Sequence, residues 1–277
     1  MPVIPISRML GRLHKIVGES ALGIYIALKL RNQCDAVIRS RLSDGPDAKW
    51  NGELLLLAAV APTAQFFVDV GANVGHWAKS FLDAMSPNGS GLLFEPSPHT
   101  ANRARSVLHQ HASRIELVEA AIGDETEDTV FFAEPECGES SSIIRSFARP
   151  DSVAIRVRLT TLDRELAKRA IEHVDFLKVD AEGFDLKVLK GAKRVLQEER
   201  IGIVQFEYNS PWAIAGSTLA EAISLFENYN YTVFLLKADG LHRLNYRRYG
   251  EYFGYSNYVA VSSRCLARIA RLIQSPI

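Results

Sequence analysis

The chain has 277 residues, 47% of them hydrophobic and 23% charged, which is room for one large domain with extensions or two modest ones. That apolar share excludes a disordered or collagen-like chain. Thirty-two basic residues balance thirty-two acidic ones, which tells against a dedicated nucleic-acid binder, whose affinity comes from neutralising phosphates.

The balance is uneven along the chain. Residues 1–45 carry a net +4 and residues 263–277 a net +3, so residues 46–262 carry −7. Cys34, Cys137 and Cys265 lie far apart, with neither zinc-ligand spacing nor the even count of a disulfide framework, which points to a reducing, cytoplasmic compartment. The longest apolar run, 21–28, stops at Lys29, short of the roughly 18 residues that span a bilayer. No secretion signal is read at the N-terminus.

In chain order, Ile6, Met9, Leu10, Leu13, Ile16 and Val17 recur at helical spacing with Arg8, Arg12 and Lys15 between them. A second helical stretch runs over about 21–42. Such a stripe packs on its own protein or, being basic, touches an anionic membrane on the inner face or a partner. From Phe66 the rhythm becomes alternating strands and helices. Strands are expected at 66–70, 91–95, 115–118, 174–179, 203–206 and 257–261, and helices up to 84, near 100–110 and over 184–197. This alternation predicts a parallel sheet covered on both faces. After the third strand, 129–132 and 153–159 read as an inserted β-hairpin closed by the loop 134–150. The expected organisation is a helical arm (1–50), a catalytic domain (51–262) and a basic tail (263–277).

The strongest local signal is Asp69-Val70-Gly71-Ala72-Asn73-Val74-Gly75, a turn between strand and helix where glycine permits close ligand approach. Glu95 ends the next strand, where an acid takes ribose hydroxyls in nucleotide-binding folds. A dinucleotide site needs a second glycine where Asn73 stands, and Asp69 would repel a pyrophosphate. The same carboxylate attracts an ammonium or a sulfonium, so S-adenosylmethionine suits the turn better. A phosphate-cradling Gly-Lys-Ser/Thr turn is absent. Asp124, after the third strand, stands where it accepts a hydrogen bond from an adenine amine or simply makes a turn.

A second cluster lies at the later strand ends. Lys178-Val179-Asp180-Ala181-Glu182-Gly183-Phe184-Asp185 and Glu207-Tyr208-Asn209 belong beside Gly71 if ligands bind outside the carboxyl ends of the strands. Asp180, Glu182 and Glu207 have three competing roles: a base for a substrate hydroxyl, ligands for a divalent cation (Asp180 and Glu207), or hydrogen-bond partners for ligand polar groups. Lys187, Lys190 and Lys193 read as a solvated helix face. Asn209-Ser210-Pro211-Trp212 faintly resembles the Asn-Pro-Pro-aromatic loop of nucleic-acid amino-methyltransferases, but it follows the wrong strand and lacks the second proline. Tyr246, Tyr249, Tyr252, Phe253, Tyr255 and Tyr258 are candidates for an acceptor-binding surface or for core packing. His109 and His111 share no helix face and read as surface residues.

Taken together, the Asp69–Gly75 turn, Phe94-Glu95-Pro96-Ser97-Pro98, Ala121-Ile122-Gly123-Asp124, Thr161-Leu162-Asp163, Lys178 to Phe184 and Val188-Leu189-Lys190-Gly191-Ala192 resemble the FkbM-type S-adenosylmethionine-dependent methyltransferases over about 60–210. The resemblance implies a seven-stranded, mostly parallel Rossmann-like sheet with a reversed last hairpin. It implies O-methylation of a saccharide, glycan or polyketide-type hydroxyl, and cofactor contacts at Asp69, Gly71, Asn73, Glu95 and Asp124, with Gly75 completing the turn. Ser141-Ser142 resemble the family's serine pair in the inserted loop, which puts Ser142 near cofactor or substrate. His76 stands where the family commonly has an aromatic residue. The rival readings are a nicotinamide-dependent oxidoreductase of Rossmann type and a membrane-associated binding module that uses the basic termini.

Overall fold

A computed structural model describes residues 6–135, 137–138 and 141–277, with the backbone alone for 6–9. The chain divides into two compact units, Met1–Leu42 and Ser43–Ile277. The first holds helices α1 (Ile6–Gly18) and α2 (Ala21–Leu42), as the apolar spacing predicts. Their corner is tight: Ser20 accepts from Gly23 N–H at 3.2 Å, and a Cβ on Gly23 would lie 2.3 Å from the Val17 carbonyl.

The second unit begins with α3 (Glu53–Val60) and continues β1 (Phe66–Val70), α4 (His76–Ala84), β2 (Ser90–Phe94), α5 (Pro98–Val107) and β3 (Ile115–Val118). Then come β4 (Ala121–Ile122), β5 (Glu127–Ala133), β6 (Val153–Thr160), α6 (Leu162–Lys168), β7 (Val174–Val179), α7 (Asp185–Lys190) and α8 (Lys193–Gln197). After β8 (Ile201–Tyr208) follow α9 (Pro211–Ile214), α10 (Leu219–Glu227), β9 (Tyr231–Lys237), β10 (Gly240–His242) and β11 (Ser256–Ser262). Ser97, Thr161 and Thr218 cap α5, α6 and α10 by accepting from an amide three residues on, satisfying donors that a helix start leaves orphaned. The helix expected over 184–197 is two helices. It breaks at Gly191, where a Cβ would meet the Gly123 carbonyl at 1.8 Å.

The main sheet has the order β10-β9-β11-β8-β7-β1-β2-β3. β1, β2, β3, β7 and β8 run parallel, and β11 lies antiparallel between β8 and β9. This is the expected seven-stranded Rossmann-like sheet with a reversed strand, lengthened at its edge by the three-residue β10. The inserted hairpin is β5–β6, and β4 pairs parallel to β6 to make a separate three-stranded sheet. Behind β1 and β7, Phe67, Trp77, Phe81 and Phe176 pack with ring centroids 4.8–6.1 Å apart. This aromatic block roots the turn after β1 in the core.

Residues 263–277 lie against the sheet: Ile269 and Leu272 are buried, Gln274 N–H donates to the Leu241 carbonyl, and Arg268 pairs with Asp175 at 3.1 Å. The tail's charge is therefore partly neutralised within its own unit.

Candidate active site

Strand order reverses about β1, which has β2 on one side and β7 on the other, and such a switch point opens a crevice at the carboxyl ends. Register decides which side chains meet there. Val70 pairs with Phe94 and with Val179, and Val179 pairs with Phe206, so the next residues of each strand, Gly71, Glu95, Asp180 and Glu207, stand at one level. The loops are tied at that level too. Gly71 and Ala72 N–H both donate to the Phe94 carbonyl at 3.0 Å, and Asp180 N–H donates to the Val70 carbonyl at 3.0 Å. Gly71 has φ +85°, and a Cβ there would lie 1.8 Å from the Asp180 carbonyl, so only glycine lets the two loops close up.

The crevice is a cleft of about 640 Å³ whose wall includes Asp69, Gly71, Asn73, Gly75, Glu95, Asp180, Glu182 and Glu207. These eight predicted residues are brought together. The other two stand aside. The Asp124 carboxylate lies 3.8 Å from Lys187 Nζ and does not line the cleft, although Ala121 and Ile122 just before it do. Ser142 is buried and used structurally: its hydroxyl donates to the Glu182 carbonyl at 3.0 Å and accepts from Ile144 N–H at 3.1 Å, while neighbouring Ser141 lines the wall. Ser142 therefore fastens the inserted loop to the β7 loop.

The carboxylates differ in how they are satisfied. Asp69 is fully buried, and neither of its oxygens has a hydrogen-bond partner. Burial pushes its pKa up to about 6 against the pull of Lys178, with Asp180 and Glu53 adding to the rise. Glu95 accepts from Asn73 N–H (3.1 Å) and Ser97 N–H (2.9 Å), which fixes it at the rim; burial still raises it to about 7. Asn73 takes the left-handed φ of 46° and leaves its own buried Oδ1 unpartnered. An orphaned buried carboxylate beside a second acid fits a ligand carrying a positive charge and hydrogen-bond donors, and repels a diphosphate.

Across the cleft the acids are engaged. Lys178, buried and opposite Asp69 in the β1–β7 register, donates to Asp180 at 2.6 Å and lies 5.6 Å from the Trp77 ring centroid. Burial opposes its charge, but Asp180, Asp69 and Glu53 together hold its pKa above the ordinary lysine value. Asp185 accepts from Ala181 and Gly183 N–H at 3.3 and 3.1 Å and so shapes the loop beneath; burial raises it to about 7. Glu207 accepts from Asn209 Nδ2. Burial and the charges of Asp180, Glu182 and Asp185 push it well above the usual carboxylate range. Among the described residues no cluster of three or more His, Cys, Asp or Glu is placed to hold a metal ion. Asp180 is engaged by Lys178 and Glu207 by Asn209, so the divalent cation expected as one option for this pair does not fit the donors present.

Three further residues of the wall, Lys178, Glu53 and Trp77, have no role that the sequence pattern signals. Of the six clustered aromatics, Tyr255 alone is on this wall; Tyr252 and Tyr258 share a hydrogen bond at 2.9 Å in the core around Tyr208. Trp212 is likewise buried against Phe206 and Tyr208, which accounts for the Asn209–Trp212 stretch as packing. His111 is not a bare surface residue, since its Nε2 meets Asp83 at 2.8 Å.

The model of the methyltransferase FkbM domain matches residues 69–233. The chain belongs to the FkbM methyltransferase family. The match runs from the buried Asp69 through the turn, the inserted sheet and both acidic strand ends. Among solved structures, an FkbM methyltransferase from Methylobacillus flagellatus KT is 17% identical with a TM-score of 0.43; the alignment covers 71% of this chain and 43% of that one. This chain thus spans less than half the length of that relative. An O-methyltransferase from Bacillus cereus in complex with SAH is 14% identical with a TM-score of 0.39, covering 85% of this chain and 90% of that one. A precorrin-6y C5,15-methyltransferase from Geobacter metallireducens GS-15 is 14% identical with a TM-score of 0.42, covering 76% and 88%. No curated protein is similar enough to stand as a relative.

Proposed function

We propose that this FkbM-family protein is an S-adenosylmethionine-dependent O-methyltransferase acting on a hydroxyl of a saccharide, glycan or polyketide-type small molecule. One observation carries the reading: Asp69 holds two buried carboxylate oxygens with no partner, at a cleft whose opposite acids are already engaged. The bound cofactor supplies the electrophilic methyl group. Asp69 and Glu95 would take its ammonium and ribose hydroxyls, and Asn73 Oδ1 offers a further acceptor. The acceptor side is formed by Glu207, Asp180, Glu182, Glu53 and Tyr255. Carboxylates and a phenol there accept hydrogen bonds from a polyol, and the ring of Tyr255 gives it a flat face.

Of the acids expected to act as base, Glu207 is the best suited. Asp180 is held by the Lys178 ammonium at 2.6 Å, whereas the surroundings of Glu207 raise its proton affinity. Glu207 thus takes the hydroxyl proton at its carboxylate, while Lys178 and Asp180 orient the acceptor. The rest of the rate comes from alignment in the cleft. Nucleic acid is not an expected partner, because the wall is acidic.

Titration calorimetry with S-adenosylhomocysteine and with NADH tests the cofactor side. Binding of the first alone is expected, and binding of NADH alone overturns the reading. Transfer of a labelled methyl group to a panel of sugars, glycans and polyketides tests the acceptor; label appearing only on amines or carbon would overturn the O-methyl assignment.

A further inference from the structure

The N-terminal unit is unlike the rest of the chain in where it keeps its apolar residues. On α1 the side chains of Leu10, Leu13, Ile16 and Val17 form one stripe and are 39–67% exposed. Arg12 and Lys15 occupy the other side of the same helix, and His14 lies at the stripe's edge beside Leu10. The first two turns of α2 carry Leu22, Ile24, Tyr25, Ile26 and Leu28, all between 44 and 67% exposed. At about 100° per residue these five positions cover roughly 200° of the circumference, and Gly23 and Ala27 fill the remaining arc, so that no side of this stretch is polar. Soluble proteins rarely leave so large a contiguous apolar surface in water.

We propose that this unit is an interfacial anchor that inserts into the headgroup region of an anionic lipid bilayer. Three observations favour lipid over protein. A helix apolar on all sides needs an apolar medium all round it, which a bilayer provides and a single protein face does not. The apolar stretch of α2 is short: residues 21–28 rise about 12 Å. Among the described residues no helix is long and apolar enough to cross a membrane. The stretch therefore dips into one leaflet, at the depth interfacial helices reach.

The third observation is charge. Residues 1–45 carry a net +4 in a chain whose total is zero. Arg12 borders the stripe on α1, and Lys29, whose ammonium lies 5.6 Å from the Tyr25 ring centroid, closes the apolar stretch of α2. Long basic side chains at such a border reach headgroup phosphates while their stems stay in the apolar layer. The acidic second unit would be repelled by the same surface. The N-terminal unit is thus the contact, and the tail, with Arg264 and Arg268 paired to Glu199 and Asp175, contributes little.

Co-sedimentation of the full chain with vesicles of phosphatidylcholine, alone or with phosphatidylglycerol, tests this. Enrichment on the anionic vesicles that weakens with added salt is expected. The double substitution Leu13→Glu with Ile16→Glu should lower it by roughly tenfold, and Arg12→Glu by roughly threefold. These positions are exposed, so the thermal melt of the second unit should not move. Absence of binding to either vesicle, or equal binding to both, overturns the proposal. So does a dimer in analytical ultracentrifugation that the Leu13→Glu, Ile16→Glu chain loses while vesicles capture neither form; a second copy would then be the occupant.

Discussion

The two walls of the cleft are built from the same residue type and behave differently. On the β1–β2 side Asp69 is buried without a hydrogen-bond partner and Glu95 keeps only backbone amides. On the β7–β8 side Asp180 holds Lys178, Asp185 holds two loop amides and Glu207 holds Asn209. Burying an unpaired carboxylate costs stability and is tolerated where a ligand supplies the missing charge. A carboxylate that already has partners is free to position or to exchange a proton. The difference separates binding from chemistry.

The largest test of that separation is Glu207→Gln. It should reduce turnover about a thousandfold, the usual range for loss of a general base, while S-adenosylhomocysteine affinity stays within a factor of about three. Asp180→Asn should also slow turnover, and it should lower stability by about 1–2 kcal/mol, because Lys178 stays buried with one partner fewer. Thermal melts and steady-state kinetics on both variants decide the matter. Should Asp180→Asn abolish turnover and Glu207→Gln leave it intact, the base is Asp180.

Asp69→Asn comes next. Affinity for S-adenosylhomocysteine should drop by about fiftyfold through loss of a charge-assisted hydrogen bond. The unliganded protein should become more stable by about 1–3 kcal/mol, since a buried carboxylate without a hydrogen bond has gone and this outweighs the lost attraction to Lys178. Opposite signs for binding and stability are the signature. A lower melting temperature would show that Asp69 is structural.

A smaller effect is expected from pH. Asp69 at about 6, and Glu95 and Asp185 at about 7, sit above the values near 4 that the unfolded chain has. Folded protein therefore binds protons in this window that unfolded chain does not, and stability rises as pH falls from about 8 towards 5. Below about pH 4 the trend reverses. Burial works against the charges of Asp175 and Glu165, but their arginine and amide partners outweigh it and hold both pKa values down, so that protonation removes their stabilisation. The unliganded melting temperature should gain about 2–6 °C between pH 8 and 5. A cationic ligand needs Asp69 ionised, so its affinity should fall over the same interval with proton release on binding. Calorimetry in two buffers of different ionisation enthalpy reads that release.

Much of the cleft is legible in the amino-acid sequence because it depends on short-range pattern. An apolar run, an acid, a glycine turn and a helix signal place Asp69, Gly71 and Glu95 at strand ends, and a parallel sheet aligns strand ends automatically. Lys178 is not legible in this way, because its alignment with Asp69 depends on which strand neighbours β1. Glu53 comes from α3, before the first strand, and reaches the cleft only by packing. Tyr255 is one of six aromatics whose burial is a tertiary property. Segment 21–28 is legible as apolar but not as exposed, since sequence does not show what lies opposite a stripe.

The smallest predicted effect bears on Asp124, one of the two predicted site residues that do not line the cleft. Asp124 faces Lys187 at 3.8 Å, with side chains 29% and 41% exposed. A pair of this kind in water contributes under about 1 kcal/mol. Asp124→Asn should accordingly change S-adenosylhomocysteine affinity by less than about threefold and leave the melting temperature nearly unmoved. A loss of about tenfold or more in calorimetry would mean that the carboxylate leaves Lys187 when the ligand arrives. The β1–β2 wall would then acquire its third acid only on binding, and Lys187, freed from its partner, would become the residue whose substitution to alanine tightens the complex.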